Sequence, residues 1–309
     1  MQIRLVPCLA GGALAALTLL SAAAQESSPL TLANPLAPLS FEPVWNASVT
    51  TVYDTDGHAH FGGAKLANSD AFNLNLNVGT RVWLPWQEGL FVPLGLRSEN
   101  AYLGQVAGAP VDSSIHTLRL STGLGYNYHE TWTFTALISP ELYRFDHVGS
   151  DTIGLSGGLL ATHRVSTNFS YVFGVFIAPD NDVPAFPVLG LRWRVNEEYL
   201  LELGLPRTRF TGRLNSDLAW YVGADLGGMT YRTSASLGNR LGQSQYNNAL
   251  ATDRDVRVGA GFSFQLLANL RAELDGGYSV YRELDFHRIG TDVRFGPAPY
   301  VRAALGIRF

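Results

Sequence analysis

The sequence predicts an all-β chain: a transmembrane, antiparallel, up-and-down β-barrel of fourteen strands behind a cleaved leader. Three observations predict it. Apolar and polar residues alternate with period two from residue 44 to the end, short and long links between the alternating segments take turns, and nothing after the leader approaches the ~18 apolar residues of a membrane helix. The stretch AFNLNLNVGTRV, residues 71–82, is the clearest case: Phe72, Leu74, Leu76 and Val78 alternate with Asn73, Asn75 and Asn77. Successive strand side chains point to opposite faces, so this ribbon separates an apolar phase from a wet one. A soluble half-buried strand satisfies that pattern, and so does a barrel strand with its amides turned inward.

The chain opens MQIRLVPCLAGGALAALTLLSAAAQ, with one basic residue, Arg4, an apolar run, and small residues at Ala22 and Ala24. That is the layout of a secretory signal peptide cut after Ala24, so residues 1–24 are read as leader. The only cysteine, Cys8, leaves with it, and the exported chain then has no disulfide. Formal net charge is −4, and losing Arg4 takes it to −5, which argues against a nucleic-acid partner. Lys65 is the only lysine; the other basic residues are arginines, whose rigid forks suit pairing with carboxylates at crowded sites. Thirty-two glycines and 13 tyrosines fit a large β chain.

Residues 25–43, QESSPLTLANPLAPLSFEP, hold four prolines without a sustained period and read as an N-terminal periplasmic tether to a barrel spanning 44–309. Strands are expected at 44–53, 70–84, 90–103, 115–128, 131–144, 152–163 and 168–178. Seven more follow at 187–195, 199–205, 208–214, 218–233, 255–266, 269–281 and 299–309. Short links fall at 85–89, 129–130, 164–167, 196–198, 215–217 and 267–268, and mostly longer polar links at 54–69, 104–114, 145–151, 179–186, 234–254 and 282–298. A barrel with both termini in the periplasm has short turns on that side and long loops outside. The two strands around Pro206 have about seven residues, against the ~9 to 11 of a spanning strand, so a twelve-strand barrel with an excursion there is the alternative.

One face of the strands carries Leu118, Leu120, Leu124, Trp132, Phe134, Ile138, Val256, Val258, Phe262 and Phe264; the other carries small, polar and charged residues such as Ser121, Thr133, Ser139 and Ser263. Aromatics at strand ends, Trp45, Tyr53, Trp83, Trp86, Tyr126, Tyr128, Trp132, Trp220 and Tyr231, suit interfacial girdles as well as ordinary strand composition. The chain ends PYVRAALGIRF, with Val301, Ala303, Leu305, Ile307 and Phe309 on one face. This resembles the terminal strand of bacterial outer-membrane barrels, which ends on phenylalanine and is read by the assembly machinery. The resemblance implies that the leucines of FNLNLN face lipid and the asparagines the lumen. A narrower resemblance lies in APDNDVPAFPVLGLRWRVNEEYLLELGLPRTRFTGRL, 178–214, which is similar to an uncharacterised outer-membrane β-barrel family: an Asp/Pro-rich loop, a Pro-x-x-Gly strand, a tryptophan, then a strand ending in Leu-Pro. That family implies the fold and brings no activity.

The inward register is expected to hold Arg81, Arg97, Glu99, Arg119, Glu141, Arg192, Arg194, Glu202, Arg209, Arg213, Asp225, Asp255, Arg257, Arg271, Glu273, Asp275 and Arg302. Arg192, Arg194, Arg209 and Arg213 either form a ladder that attracts anions across a pore, or are held by acids such as Glu202, Asp225 and Glu141 in a network that fills the barrel. His58, His60, His147 and His287 fall in outer loops without carboxylates or cysteines at ligand spacing, so no metal or other cofactor is expected. His116 beside Ser113 and Ser114 is the one pair that imitates a membrane hydrolase. No phosphate loop, dinucleotide fingerprint or zinc motif is present.

Three functions remain open. The first is a passive or weakly selective channel for small hydrophilic solutes, since barrels well above eight strands have room for a lumen. The second is a structural or adhesive barrel with a charge-plugged lumen that acts through its outer loops, and the third is a lipid-modifying barrel enzyme. Expected partners are outer-membrane lipid, lipopolysaccharide and the barrel assembly machinery; oligomeric state is not legible.

Overall fold

The computed structural model describes residues 44–104, 106–144, 149 and 151–309; the expected leader and tether, and His147, lie outside the described residues. Period-two alternation produces one sheet that closes on itself. Its strands are β1 (Val44–Phe61), β2 (Ala64–Trp83), β3 (Leu90–Leu103), β4 (Ser114–Tyr128), β5 (Trp132–Leu142), β6 (Ile153–Arg164), β7 (Phe169–Ile177) and β8 (Ala185–Arg194). They continue with β9 (Tyr199–Gly204), β10 (Arg207–Arg213), β11 (Leu218–Arg232), β12 (Leu250–Leu267), β13 (Leu270–Phe286), β14 (Thr291–Phe295) and β15 (Ala298–Arg308). Every pairing is antiparallel; successive strands pair as chain neighbours from β1 to β14, while β15 returns to pair with β13 and closes the ring on β1 from Asn46↔Arg308 to Asp54↔Tyr300. β14 and β15 both bridge β1 and β13, so they occupy one position in the ring: a fourteen-strand barrel with one extra strand. Closure satisfies the backbone without an edge, as a bilayer requires.

The short strands on either side of Pro206 are genuine ring members: β9 pairs with β8 and β10, and β10 with β11. Twelve strands are thereby ruled out. Three expected loops are instead largely ordered. The link expected at 54–69 is a hairpin whose turn is Gly62-Gly63, with φ of +58° and +81°, the left-handed pair that a two-residue hairpin turn requires. In 234–254, a short helix α1 (Leu237–Leu241) and a 3-10 turn (Ser244–Tyr246) precede an early start of β12. In 282–298, β13 runs on to Phe286 and β14 forms.

The outer surface has the predicted apolar band, with Leu76, Leu120, Ile138, Phe262 and Leu305 all exposed. Asn73, on the opposite parity to Leu76, is buried. Inside, the two ends of the barrel differ. Toward the long loops the interior is apolar: Ala59, Leu103, Met229, Leu284 and Phe286 from the walls meet Val106, Val111 and Tyr246 from the loops folded over them. Tyr231 is 1% exposed and belongs to this inner cluster, so it is not a girdle residue. It shares the parity of Asp225, and period two therefore turns it inward. The other girdle candidates Trp45, Tyr53, Trp86, Tyr126 and Tyr128 are exposed.

Candidate functional site

Between the apolar loop end and the short-turn end, inward-facing residues of β10 to β15 and β1 build a charged layer. Arg302 of β15 donates through Nε to Asp275 Oδ2 at 2.7 Å and through Nη1 to Asp225 Oδ2 at 2.6 Å. Arg207 Nε reaches the other oxygen of Asp225 at 2.5 Å, and the Tyr221 hydroxyl donates to Asp275 at 2.7 Å. Arg209 pairs with Glu273 at 3.2 Å, and its guanidinium lies 3.7 Å from the centre of the Tyr221 ring. Arg271 donates to Ser263 at 2.5 Å and also faces Glu273. Nearer the loops, Arg257 of β12 holds Asp54 of β1 at 2.8 Å and Asp255 of its own strand, which accepts from Ser279. Several of these contacts are chords, joining strands that are not neighbours in the sheet. The space among Thr208, Arg209, Tyr221, Asp275 and Arg302 is about 10 Å³, the lower limit for one water.

On the opposite wall the pairs run along the sheet. Arg97 holds Glu99 on β3 at 2.5 Å, and Arg119 of β4 donates to Glu141 of the adjacent β5 at 2.7 Å, with Ser156 of β6 donating to the same carboxylate. Arg192 faces Glu202 across β8 and β9 at 3.5 Å. Arg81 lies over the Phe91 ring, 4.2 Å from its centre. That ring is accommodated because Gly125 has no Cβ, which would sit 2.0 Å from it.

The four-arginine ladder is divided. Arg209 is buried on Glu273, Arg192 is half-buried beside Glu202, and Arg194 and Arg213 sit where their strands enter short turns. The acids also distribute differently from the expected set. Asp225 is taken by Arg207 and Arg302, and Glu141 by Arg119; neither holds the ladder. Sequence reasoning missed Asp54 and Arg207, assigned to links, although Asp54 continues the inward parity of Thr50 and Val52.

Beyond the charged layer the links are tied to one another across the mouth. Asp112, before β4, accepts from the Ser234 backbone and hydroxyl at 2.8 Å each and from Arg240 at 3.3 Å. After β5 the Tyr143 backbone carbonyl accepts from the Arg232 backbone N–H at 3.3 Å, and the Tyr143 hydroxyl donates to Asp180 at 3.1 Å. Arg254 contacts Asp182, Asp285 and Glu283 at 2.7, 3.0 and 3.3 Å, and Arg294 holds Glu283 at 3.0 Å. Asp285 lies beyond the apolar belt, and burial pushes its carboxyl up to about 6 against the pull of Arg254. The hydrolase-like pairing of His116 with Ser113 or Ser114 does not appear among the hydrogen bonds of the described residues: the His116 ring lies 2.8 Å from Asn100 Oδ1 and packs edge-on against Tyr102. His58 and His60 are strand residues of β1, and His287 opens the β13–β14 turn.

Residues 111–307, from the mouth residue next to Asp112 through the last full turn of pairing on β15, match a family described as a domain of unknown function, DUF6268. The chain belongs to the DUF6268 family. The matched span leaves out β1 to β3, yet the barrel cannot close without them, since β1 supplies the seam to β15. No curated protein matches the chain. Among solved structures, it is similar at 12% identity to the COG4313 outer membrane channel from Pseudomonas putida F1, covering 89% of this chain and 100% of that one with a TM-score of 0.44. The toluene transporter TodX of Pseudomonas putida is 13% identical over 93% of each chain, TM-score 0.46. The translocator domain of the autotransporter NalP from Neisseria meningitidis is 11% identical over 95% and 98%, TM-score 0.33.

Proposed function

We propose that this DUF6268 barrel is an outer-membrane channel for small hydrophilic solutes, held closed in the conformation described, with both termini in the periplasm. The observation that supports it most is the way charge is arranged on β3 to β6. Arg97 with Glu99, and Arg119 with Glu141, pair along the wall and leave a polar lining, whereas a barrel with no aqueous route has no need of ionised groups on that wall. The closing elements are the links: Asp112 on Ser234, and Tyr143 on Arg232. The periplasmic placement of the termini is supported by the alternation of short turns at one end with longer links at the other.

A second reading, a structural barrel with a permanently filled lumen, is favoured by the chord contacts around Arg302 and Asp225 and by the small space among them. Planar-bilayer recording separates the two. The channel reading expects rare openings of the wild type and longer ones in Asp112→Ala, which frees the Ser234 segment. Silence in both, from protein whose heat-modifiable migration shows it folded, rejects the channel and leaves the structural reading.

A further inference from the structure

Four arginines share one place in the fold. Arg164 of β6, Arg194 of β8, Arg213 of β10 and Arg308 of β15 each end their strand, and each gives its backbone N–H to a carbonyl of the adjacent short turn, at Thr131, Asn168, Glu198 and Asn269. Each also continues the inward parity of a buried residue on its own strand, Ser156, Val188, Arg209 and Arg302, so the four form a collar inside the short-turn end. Among the described residues their side chains enter no ion pair or hydrogen bond. The acids of this end, Glu88, Glu130, Glu197, Glu198 and Asp217, lie exposed in the turns.

One sector of the collar has further donors behind it. Arg213, Ala219 and Ser263 are register partners across β10, β11 and β12, and Arg271 of β13 donates through Nε to the Ser263 hydroxyl at 2.5 Å. Arg213 and Arg271 therefore face one rung, with the small side chain of Ala219 between them. Two strand spacings are ~10 Å, a gap that two arginine side chains can close on one guest. On the neighbouring rung, Arg194, Leu200 and Thr211 are partners across β8, β9 and β10. Two polar atoms here lack a partner although their side chains are buried: Nη1 of Arg271, 3% exposed, and Oγ1 of Thr211, 5% exposed. The first inward carboxylates of this sector, Glu202 and Glu273, stand against five arginines, Arg192, Arg194, Arg209, Arg213 and Arg271. Glu202 faces Arg192, and Glu273 is held by Arg209 at 3.2 Å and lies 3.9 Å from Arg271.

We propose that Arg194, Arg213, Thr211 and Arg271 form an oxyanion subsite that binds a phosphate group, free or as the monoester of a small solute. Donors that come from three strands approach one guest from several directions, which suits a tetrahedral oxyanion; a carboxylate is satisfied by a single in-plane fork. The acids of the turns repel an acidic polymer at the rim, whereas a small anion passes them and meets the collar inside, so the guest is a solute and not a macromolecule. The proposal deepens the channel reading by naming its solute class, and rests on it for the route. Occupancy itself needs only access from the short-turn end, where Arg213 is exposed.

Calorimetric titration of inorganic phosphate into the folded, full-length barrel in detergent micelles tests this, at ~0.15 M chloride, where a Debye length of ~8 Å screens the rest of the collar. Saturable binding is expected, with succinate weaker by about tenfold or more. Competition by glycerol phosphate extends the site to monoesters, and its absence restricts it to the free ion. Arg194→Gln with Arg213→Gln, both outside the buried network, should weaken phosphate by about tenfold or more through the loss of charge-assisted hydrogen bonds. Arg164→Gln with Arg308→Gln removes the same charge from the collar and should leave binding nearly unchanged. Thr211→Val, which removes the hydroxyl and keeps the shape, should weaken it as well. No saturable binding, equal loss in the two arginine pairs, or succinate or polyglutamate binding as tightly as phosphate overturns the subsite. Bilayer recordings on the same preparations keep the two readings apart: phosphate binding with no ion current rejects the aqueous channel and leaves the subsite standing, whereas current without phosphate binding does the reverse.

Discussion

Arg209 and Glu273 are 3.2 Å apart although β10 and β13 are separated in the sheet by β11 and β12, so the pair spans a chord of the barrel interior. Both side chains are buried, and Tyr221 lies against the arginine. Removing one partner of a buried pair strands the other charge and costs about 3 to 5 kcal/mol, while replacing both by apolar residues is close to neutral. Arg209→Met alone is therefore expected to lower the urea midpoint of the refolded barrel strongly. Arg209→Met with Glu273→Leu should recover most of it. Equal loss in the single and double variants would mean that the pair is not what holds the two strands.

The two faces of a strand respond differently to substitution. Leu120→Lys puts an ammonium on the lipid face and should cost about 2 to 4 kcal/mol if it lies near the midplane. The inward positions are not simply wet: Ser263 is buried and accepts from Arg271, so Ser263→Ala leaves that donor unsatisfied at a cost of about 1 to 3 kcal/mol. Unfolding from lipid vesicles measures both.

Phe309 and Trp45 exchange backbone hydrogen bonds at 2.7 and 2.9 Å, at the outermost rung of the seam that closes the ring. Deleting Phe309 should remove the terminal assembly signal and that rung together. The expected result is a lower outer-membrane level, with the remainder degraded in the periplasm, read by fractionation and by loss of the heat-modifiable band. Normal accumulation would show that the alternating terminal residues are not read as a signal.

Asp285 gives the mouth a pH dependence. Its folded-state pKa, about 6, lies above the ~3.9 of an unfolded aspartate, so the folded mouth binds this proton more tightly. That contribution is fully present below the unfolded value and is lost as pH rises through the folded one. Arg254, Asp182, Glu283 and Asp292 are the charges facing it. Protection factors in 282–295, with the intrinsic exchange rate at each pH divided out, should be higher at pH 4.5 than at pH 7, and Asp285→Asn should flatten the difference.

Period-two alternation was enough to place most of the wall. The β3 limits of Leu90 and Leu103, the exposed leucines beside inward asparagines, and the existence of both short strands around Pro206 are legible because each follows from which neighbours a side chain has along one strand. The Gly62-Gly63 hairpin was missed, because the polar residues on both sides of it, which a strand beyond the bilayer tolerates, read as a loop over 54–69. Alternation assigns a face but not a partner. That Arg209 meets Glu273 and not Glu202, that Asp225 is shared by Arg207 and Arg302, and that Val183 lies over Phe176 and Phe186 all depend on strand stagger and on how links fold across the ring. Those distances are set by closure of the whole sheet, a property of fourteen strands at once, so only the tertiary structure decided them.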